Sequence, residues 1–336
     1  MNPATAPLLE VRNLTAKFNT AAGALTAISD LSFTVNPGEI LGIVGESGSG
    51  KSVTLRALTR LLPPMAEITG QVLWRGVDIL AMQDEALRAV RGAQISMIFQ
   101  EPTTALNPVL PISIQIDENL KEHTSLDGRQ RRARAYELLD MVGIPDAKRR
   151  LSDFPHQFSG GMRQRAMIAI ALASSPKLLL ADEPTTALDV TIQDQILKLI
   201  LDLREELAMS VILVTHDLGV VAATCDRMAV MYAGKIVETA SVEQVFSQPN
   251  HAYTRGLLGS VPHVGAERTM LLSIEGTPPG LGMHPSGCAF NPRCEFATDP
   301  CRAKPPELVQ IAPQHQAACY NHDQVVAAVL PLLFLL

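Results

Sequence analysis

A glycine-rich segment of eight residues carries the clearest chemistry in this sequence. It follows the spacing G-x-x-x-x-G-K-S and comprises Gly45, Glu46, Ser47, Gly48, Ser49, Gly50, Lys51 and Ser52. In such a loop, successive backbone N–H groups point at the α- and β-phosphates of a nucleotide, and side chains larger than hydrogen at the glycines would obstruct that approach. We expect Lys51 to reach the β- and γ-phosphates and the Ser52 hydroxyl to ligate Mg²⁺.

The segments on either side of this loop agree with that interpretation. Residues 40–44 are apolar and predict a short buried strand, and residues 52–62 predict a helix that ends at Pro63. A helix that begins under the phosphates contributes the partial positive charge of its N-terminus. A glycine-rich surface turn is the alternative, but it does not account for the strand, the helix and the Lys-Ser pair together.

Two carboxylates follow another buried strand, predicted over residues 178–181. Asp182 is suited to hold Mg²⁺ directly or through water. Glu183 is suited to accept a proton from the water that attacks the γ-phosphate. An Asp-Glu pair alone would be an ordinary turn at the end of a strand, so its functional interpretation depends on the glycine-rich loop.

Two further polar residues also end predicted strands. Gln100 follows residues 95–99 and is placed to contact Mg²⁺ or the attacking water. His216 follows residues 211–215 and is placed to hydrogen-bond the γ-phosphate. Because a helical segment begins directly after Gln100, this residue is also suited to couple the state of the nucleotide to the orientation of that segment.

A second anion-binding segment lies at residues 158–165, before an alanine-rich helix. Ser159 occupies an N-cap position, and Gly160 and Gly161 leave the N-terminus of the helix uncovered. The chain thus has two surfaces suited to phosphate. We therefore expect a nucleotide to lie between the loop of one copy and this segment of another.

The order of elements predicts an α/β fold. Strands that alternate with helices and end in polar residues indicate a mostly parallel phosphate-loop NTPase core. Alternating residues near the N-terminus and a hairpin around Arg75 predict an antiparallel β subdomain, and helical periodicity over about 101–165 predicts a helical insertion subdomain. We predict a nucleotide-binding domain over 1–240, a connecting helix or linker over 241–262, and a small Cys-containing region over 263–336.

Composition and charge exclude several classes of protein. The chain of 336 residues is 47% hydrophobic with a net charge of −6, and its short basic clusters do not indicate a nucleic-acid-binding surface. The N-terminus lacks the pattern of a secretion signal. The apolar run over 325–336 is too short to span a bilayer.

The motifs in this order resemble the ATP-binding subunit of an ATP-binding-cassette transporter, over about residues 8–240. The motifs are residues 45–52, Gln100, 159–164, 178–183, 187–189 and His216. The resemblance implies that Phe18 stacks on adenine, although a core phenylalanine is an equal alternative. It also implies that Asp189 lies in a loop crossing a dimer interface and that Ser159, Gly160 and Gly161 face the γ-phosphate held by the partner. Gln164 is expected to belong to the same nucleotide-binding residues.

Four shorter segments are similar to the branch that drives dipeptide and oligopeptide import in bacteria. They are residues 101–108, 154–157, 251–258 and 287–294. The resemblance implies a second ATPase in a heterodimer, two membrane permease subunits, an external peptide-binding protein, and a peripheral location on the cytoplasmic face of the membrane. Nickel and glutathione importers belong to the same branch. A soluble ATPase acting on nucleic acid or ribosomes, and a regulatory subunit with degenerate catalysis, are the alternatives.

Four of the five cysteines lie close together near the C-terminus: Cys288, Cys294, Cys301 and Cys319. Four thiolates are able to hold a 4Fe–4S cluster or a tetrahedral zinc, and the spacing does not decide between them. The resemblance favours the iron–sulfur cluster. Zinc with His284 or His315 in place of one thiolate, and four free thiols, stay open. Cys225 is expected to be a small buried apolar residue.

Overall fold

The computed structural model describes residues 6–21, 23–186, 188–260 and 274–328. The chain divides into two compact units. The first unit comprises residues 1–35, 40–80 and 215–336, and the second comprises residues 36–39 and 81–214. Within the described ranges, no helix combines the length and the apolar character that crossing a lipid bilayer requires.

The described part of the chain forms twelve strands. They are β1 (Leu9–Thr20), β2 (Gly23–Val35), β3 (Ile40–Val44), β4 (Ala66–Trp74), β5 (Val77–Asp78), β6 (Ile95–Ile98), β7 (Leu178–Asp182), β8 (Ser210–Thr215), β9 (Arg227–Tyr232), β10 (Lys235–Ser241), β11 (Val309–Ala312) and β12 (His315–Ala317).

Thirteen α-helices lie in the same described residues. They are α1 (Lys51–Leu58), α2 (Asp84–Val90), α3 (Pro102–Ala105), α4 (Ile112–His123), α5 (Gly128–Met141), α6 (Ala147–Arg150), α7 (Gly160–Leu172), α8 (Val190–Leu207), α9 (Leu218–Thr224), α10 (Val242–Ser247), α11 (Ala252–Gly259), α12 (Asp299–Ala303) and α13 (His322–Ala327). Short 3-10 turns cover Ile79–Ala81, Pro155–Gln157 and Asn291–Arg293.

An antiparallel sheet of the first unit has the strand order β2-β1-β4-β5. The central strand β1 pairs on both sides, so that Leu9 is opposite Val35 of β2 and Trp74 of β4. All three side chains are buried, because alternate residues of these strands face the core. The predicted antiparallel subdomain is confirmed, and Trp74 packs inside it.

A second group of strands in the first unit has the order β11-β12-β10-β9-β3. Strand β3 pairs parallel to β9, whereas β10 pairs antiparallel to β9 and to β12. One hydrophobic cluster includes Val44, Tyr232, Tyr253, Phe290 and Val325. The C-terminal region therefore shares its core with the strand that precedes the glycine-rich loop.

The second unit contains the parallel strands β8-β7-β6 and the helical insertion. Every residue of β7 and β8 is buried, as expected for parallel strands covered on both faces. Helix α4 buries Ile112, Ile116 and Leu120 on one face, at the spacing of an amphipathic helix. The predicted helical insertion is confirmed over α3 to α7.

Helix α1 ends four residues before the predicted position. Arg60 adopts a left-handed backbone with φ of 53°. Its N–H donates to Ala57 O at 3.1 Å, and the N–H of Leu61 donates to Arg56 O at 2.8 Å. These two bonds form a Schellman closure, which ends the helix before Pro63 is reached.

The predicted domain boundaries at residues 240 and 262 stay predictions. Strand β12 pairs with β10 across the first boundary, with Glu238 opposite Ala317. Most of the linker from 241 forms α10 and α11. Residues 261–273 and 329–336 lie outside the described residues, and they include part of the linker and most of the apolar C-terminal run.

Candidate functional site

The glycine-rich loop joins the buried strand β3 to helix α1 in the first unit. Its glycines Gly45, Gly48 and Gly50 have φ of 155°, 81° and 101°, a backbone region that favours glycine. Gly50 is the N-cap residue of α1, and Lys51 and Ser52 form the first turn. The loop therefore presents Lys51 and Ser52 at a helix N-terminus, as the sequence predicted.

Two of these glycines are required by packing within the protein, a reason that the sequence did not predict. A Cβ atom on Gly45 would lie 2.2 Å from the carbonyl oxygen of Met231, and one on Gly50 would lie 2.8 Å from Cγ2 of Ile28. A Cβ atom on Gly48 would meet nothing within 4 Å. Packing against the protein itself therefore requires glycine at positions 45 and 50, in addition to any approach by phosphate.

The amine of Lys51 is held by the loop that precedes it. Its Nζ donates to the carbonyl oxygens of Gly45 at 2.7 Å and Glu46 at 3.0 Å. The Lys51 residue is 5% exposed. The cation is thus fixed against the loop whose N–H groups are expected to bind phosphate.

Residue Glu46 of the loop also contacts the C-terminal region, which the sequence did not predict. The Tyr253 hydroxyl accepts a hydrogen bond from the Glu46 N–H at 2.8 Å. The guanidinium of Arg293 donates to both carboxylate oxygens, at 2.8 and 3.0 Å. This Glu46 N–H group is therefore engaged within the protein, and the loop amides available to phosphate come from other residues of the loop.

The second unit brings together two of the predicted catalytic residues, Gln100 and Glu183. Gln100 Nε2 donates to Glu183 Oε2 at 3.2 Å, and the Thr186 hydroxyl donates to the same oxygen at 2.7 Å. Asp182 is fully buried at the end of β7. Buried carboxylates in proteins are paired or coordinate metals, and the role of Asp182 as a Mg²⁺ ligand stays a prediction.

His216 and Phe18 lie in the first unit. His216 is exposed and directly follows β8. The next residue, Asp217, caps α9 by accepting from the N–H of Gly219 at 2.8 Å. Phe18 is half-buried on β1, opposite Leu25 of β2. Both side chains therefore keep an accessible surface, and their predicted contacts with nucleotide stay predictions.

The segment around Ser159 has the predicted capping geometry. Ser159 Oγ accepts from the N–H of Met162 at 3.3 Å, and Ser159 and Gly160 are exposed. Gln164 differs, because it is only 2% exposed and its Nε2 is buried with no hydrogen-bond partner. Asp189 is exposed at the N-cap position of α8. The exposed surface for an anion therefore consists of Ser159 and Gly160, with Gln164 beneath it.

The four C-terminal cysteines Cys288, Cys294, Cys301 and Cys319 line one small cavity. Its volume is about 10 Å³, close to the space that one water molecule needs. Burial raises the pKa of Cys294 to about 12 and that of Cys319 to about 11. Among the described residues, no group of three or more Cys, His, Asp or Glu is positioned to hold a metal ion. The predicted 4Fe–4S cluster or zinc is therefore not confirmed.

The histidine near these cysteines is not one of those considered from the sequence. His251 lines the same cavity, and its Nδ1 accepts from the N–H of Tyr253 at 3.1 Å. His315 instead lies 2.7 Å from Oε1 of the buried Glu238, measured from Nε2. Nothing in the spacing of the cysteines indicates His251, which is 37 residues before Cys288 in the sequence. The fold of the chain brings it into the lining of the same cavity.

Two family models and a group of relatives match this chain. Residues 28–186 match the model described as ABC transporter, and residues 237–301 match the one described as oligopeptide/dipeptide transporter, C-terminal region. A putative peptide import ATP-binding protein of Brucella abortus (strain 2308) is 50% identical over 316 residues, which cover 94% of this chain and 95% of that protein. The chain belongs to the ABC transporter ATPase family.

Other members of this ABC transporter family agree with that assignment. The oligopeptide transport ATP-binding protein OppD of Haemophilus influenzae is 47% identical over 319 residues, 95% of this chain and 96% of that protein. The dimeric structure of the ATP-binding cassette MJ0796 in a post-hydrolysis state bound to ADP and Pi matches with a TM-score of 0.63 and 30% identity, covering 70% of this chain and 98% of that one.

A third structure, cbiO1 from Clostridium perfringens, which is part of the ABC transporter complex cbiONQ, matches with a TM-score of 0.61 and 27% identity. The match covers 72% of this chain and 91% of the cbiO1 chain. The family, the ATPase class and the α/β cassette fold with its antiparallel subdomain are thereby confirmed as predicted from the motifs.

Proposed function

We propose that this ABC ATPase is the energy-supplying subunit of a peptide importer. The observation that carries the proposal is the match of residues 237–301 to the C-terminal region of oligopeptide and dipeptide transporters, in a chain that also has the complete glycine-rich loop. The names of the Brucella and Haemophilus relatives support the same substrate class. The function requires two membrane permease subunits and an external peptide-binding protein, with this chain bound peripherally at the cytoplasmic face.

The chemistry proposed for the site is hydrolysis of ATP. Lys51 binds the β- and γ-phosphates, Phe18 packs on adenine and His216 hydrogen-bonds the γ-phosphate. Glu183 accepts the proton of the attacking water, which Gln100 helps to orient. The oxygens of Ser52 and Asp182 and the amide oxygen of Gln100 are ligands that Mg²⁺ prefers, so the donor set fits this ion. Bound Mg²⁺ neutralises developing charge on the phosphates.

We also propose that the chain acts as part of a dimer of ATPases. Ser159 and Gly160 are exposed at the N-terminus of the thirteen-residue helix α7, where partial positive charge favours an anion. In the proposed complex this surface contacts the γ-phosphate held by a partner ATPase, and the exposed Asp189 lies at the interface. The similar cassette MJ0796 is a dimer in its structure with ADP and Pi, which supports this arrangement. We propose a heterodimer with a related second ATPase.

A first experiment tests whether the loop binds nucleotide. The full chain is titrated with a fluorescent ATP analogue, and Lys51→Ala is compared with Lys235→Ala, whose lysine is an exposed residue of β10. Lys51→Ala is expected to weaken binding at least about tenfold, because a charge-assisted contact with phosphate is lost. Equal affinity of wild type and Lys51→Ala would reject the assignment of the loop.

A second experiment tests the substrate class. The chain is purified with its membrane subunits and binding protein and reconstituted in proteoliposomes, and uptake of labelled dipeptide, nickel and glutathione is compared. Peptide uptake that depends on ATP and disappears in Lys51→Ala supports the proposal. Uptake of nickel or glutathione without peptide, or purification with nucleic acid in place of membrane proteins, would overturn it.

For the four cysteines we propose a metal centre, with the 4Fe–4S cluster as the first assignment and zinc as the second. The donor set fits, because four thiols line one cavity and thiolates ligate both centres. Loading requires the thiols to lose protons and to rearrange, since the described residues are not positioned to hold a metal ion in this structure. When bound, such a centre supplies cross-linking of the C-terminal region, and a cluster also supplies one-electron chemistry.

Metal content and absorption spectra test this assignment. We expect protein purified without oxygen to contain iron and sulfide, with visible absorbance that Cys294→Ser removes and Cys225→Ser retains, because Cys225 does not line the cavity. Stoichiometric zinc without sulfide would replace the first assignment by the second. Absence of both metals from the wild type would leave four free thiols and reject the proposal.

A further inference from the structure

Glu46 in the glycine-rich loop is held at its amide, its side chain and its carbonyl. Tyr253 Oη accepts from its N–H at 2.8 Å, and Arg293 donates two hydrogen bonds to its carboxylate at 2.8 and 3.0 Å. The Glu46 carbonyl accepts from Lys51 Nζ at 3.0 Å and from the N–H of Ser49 at 3.2 Å. One residue thus connects the C-terminal region to the cation expected to bind phosphate.

The arginine in this chain of contacts is itself well fixed. The Arg293 side chain is 5% exposed and that of Glu46 is 27% exposed, so little water competes for the ion pair. Arg293 Nε donates to the carbonyl of Glu275 at 2.9 Å. Its guanidinium carbon lies 5.9 Å from the centroid of the Tyr232 ring and 5.8 Å from that of Phe290. A bidentate pair supported in this way has a defined geometry, unlike an ion pair at a free surface.

The tyrosine is fixed by packing. Tyr253 is fully buried near the start of α11, and its ring centroid is 4.6 Å from that of Tyr232 and 5.4 Å from that of Phe290. Its hydroxyl therefore has little freedom to leave the Glu46 N–H. The tyrosine comes from α11 and the arginine from the turn Asn291–Arg293, so two separate segments within residues 237–301 converge on one residue of the loop.

We propose that Arg293 and Tyr253 are positioning residues for nucleotide binding. They fix the backbone and side chain of Glu46, and the Glu46 carbonyl in turn fixes Lys51. The C-terminal region thereby sets the ATP affinity of the loop, in addition to any part it has in transport. This inference rests on the proposed binding of ATP by the loop.

The position of Arg293 in the sequence extends the consequence to the cysteine cavity. Arg293 lies between Cys288 and Cys294, and both of these thiols line the cavity. The 3-10 turn Asn291–Arg293 connects them directly, so the backbone that carries the thiols also carries the arginine. A change in that segment therefore reaches Arg293 along the backbone, and it reaches Glu46 through the two hydrogen bonds from Arg293.

The test measures ATP affinity in the full chain for Arg293→Lys, which keeps the charge but loses the bidentate geometry, and for Tyr253→Phe, which removes the acceptor. Arg302→Ala is the matched control, because Arg302 belongs to the same region and pairs with the exposed Asp299. We expect Arg293→Lys to raise the Kd and the KM for ATP about tenfold, with kcat changed little. Arg302→Ala should stay within about twofold of the wild type.

A double-mutant cycle tests whether Arg293 acts on ATP binding through Glu46. Arg293→Ala and Glu46→Gln act through one pair, so we expect the double variant to bind ATP about as weakly as the worse single variant. Wild-type affinity in Arg293→Lys and Tyr253→Phe would overturn the inference while leaving ATP binding by the loop intact. Losses that multiply in the double variant would also overturn it. Absence of ATP binding by the wild type would instead reject the proposed function and this inference together.

Discussion

Gln100 donates a hydrogen bond to Glu183, with 3.2 Å between Nε2 and Oε2. The same carboxylate oxygen accepts from the Thr186 hydroxyl, and the Glu183 N–H donates to the carbonyl of Val214 at 2.9 Å. Glu183 also has a left-handed backbone with φ of 46°, which is uncommon for a residue with a side chain. The carboxylate is therefore held in a defined orientation at the end of β7, as a general base requires.

Replacing Glu183 by Gln is expected to abolish ATP hydrolysis while ATP still binds. The amide keeps the size of the side chain but does not accept a proton from water, so we expect kcat to fall at least about a hundredfold. Phosphate release and the Kd for ATP are measured on the same preparation. Glu101→Gln is the control, because Glu101 is an exposed neighbour of Gln100. Turnover near the wild-type rate in Glu183→Gln would contradict the role of Glu183.

Ser159→Ala should separate capping from phosphate binding when compared with Ser159→Asn. Loss of the cap to the Met162 N–H is expected to lower the free energy of unfolding by about 1 kcal/mol, and Asn should restore most of it. If the hydroxyl binds the phosphate of a partner, both variants lose the dimer that a non-hydrolysable ATP analogue induces. Light scattering measures that dimer. Dimerisation restored by Asn would indicate a purely structural serine.

Two glycines of the loop should respond differently to alanine. Gly45→Ala places Cβ against the backbone of Met231, so we expect unfolding to become easier by more than about 3 kcal/mol. Gly48→Ala meets no neighbouring atom and is strained only by its φ of 81°, which costs about 1 kcal/mol. Thermal unfolding of the full chain checks the order. Equal losses for the two variants would contradict the packing described for Gly45.

Local patterns were sufficient to predict the elements that carry the site. The apolar run Ile40–Val44 is a strand with the predicted bounds, because short buried strands bounded by glycine and proline have few alternatives. Ser159 is an N-cap as predicted. Cys225 packs against the hydrophobic core, although it is half-buried and not fully buried. The predicted end of α1 was wrong. The helix ends just before the left-handed Arg60, and an arginine does not mark a helix end in the sequence as clearly as the prolines at 63 and 64 do.

Contacts between distant segments were not predictable from one sequence. Glu46 and Arg293 are 247 residues apart. In the sequence, Glu46 is explained as part of the glycine-rich loop and Arg293 as part of the segment 287–294, so neither residue points to the other. Gln164 is predicted to bind nucleotide because it belongs to the same motif as Ser159, but its position along α7 places its side chain in the core. The pair of Glu238 with His315 likewise depends on strand β12 lying beside β10, which no local pattern indicates.

Cys225 should resist alkylation in the folded protein. Burial raises its pKa to about 12, so at pH 8 it is a neutral thiol, and the thiolate is the reactive form. We expect iodoacetamide to modify it at least about tenfold more slowly than in urea, measured by mass spectrometry of its peptide. Because the pKa is raised on folding, the associated stability is complete below about pH 9 and is lost as pH rises toward 12. Equal rates would contradict this burial.

The pairing of β12 with β10 has a consequence for engineering the chain. With residues 309–317 present, β10 is an interior strand, which pairs with β9 on one side and, at Glu238 and Thr239, with β12 on the other. A protein cut after residue 240 would leave β10 as a bare edge and would uncover the carboxylate of Glu238. Such an edge is a template for pairing with another chain. We therefore expect the shortened cassette to self-associate, so chimaeras between relatives should exchange whole chains rather than C-terminal pieces.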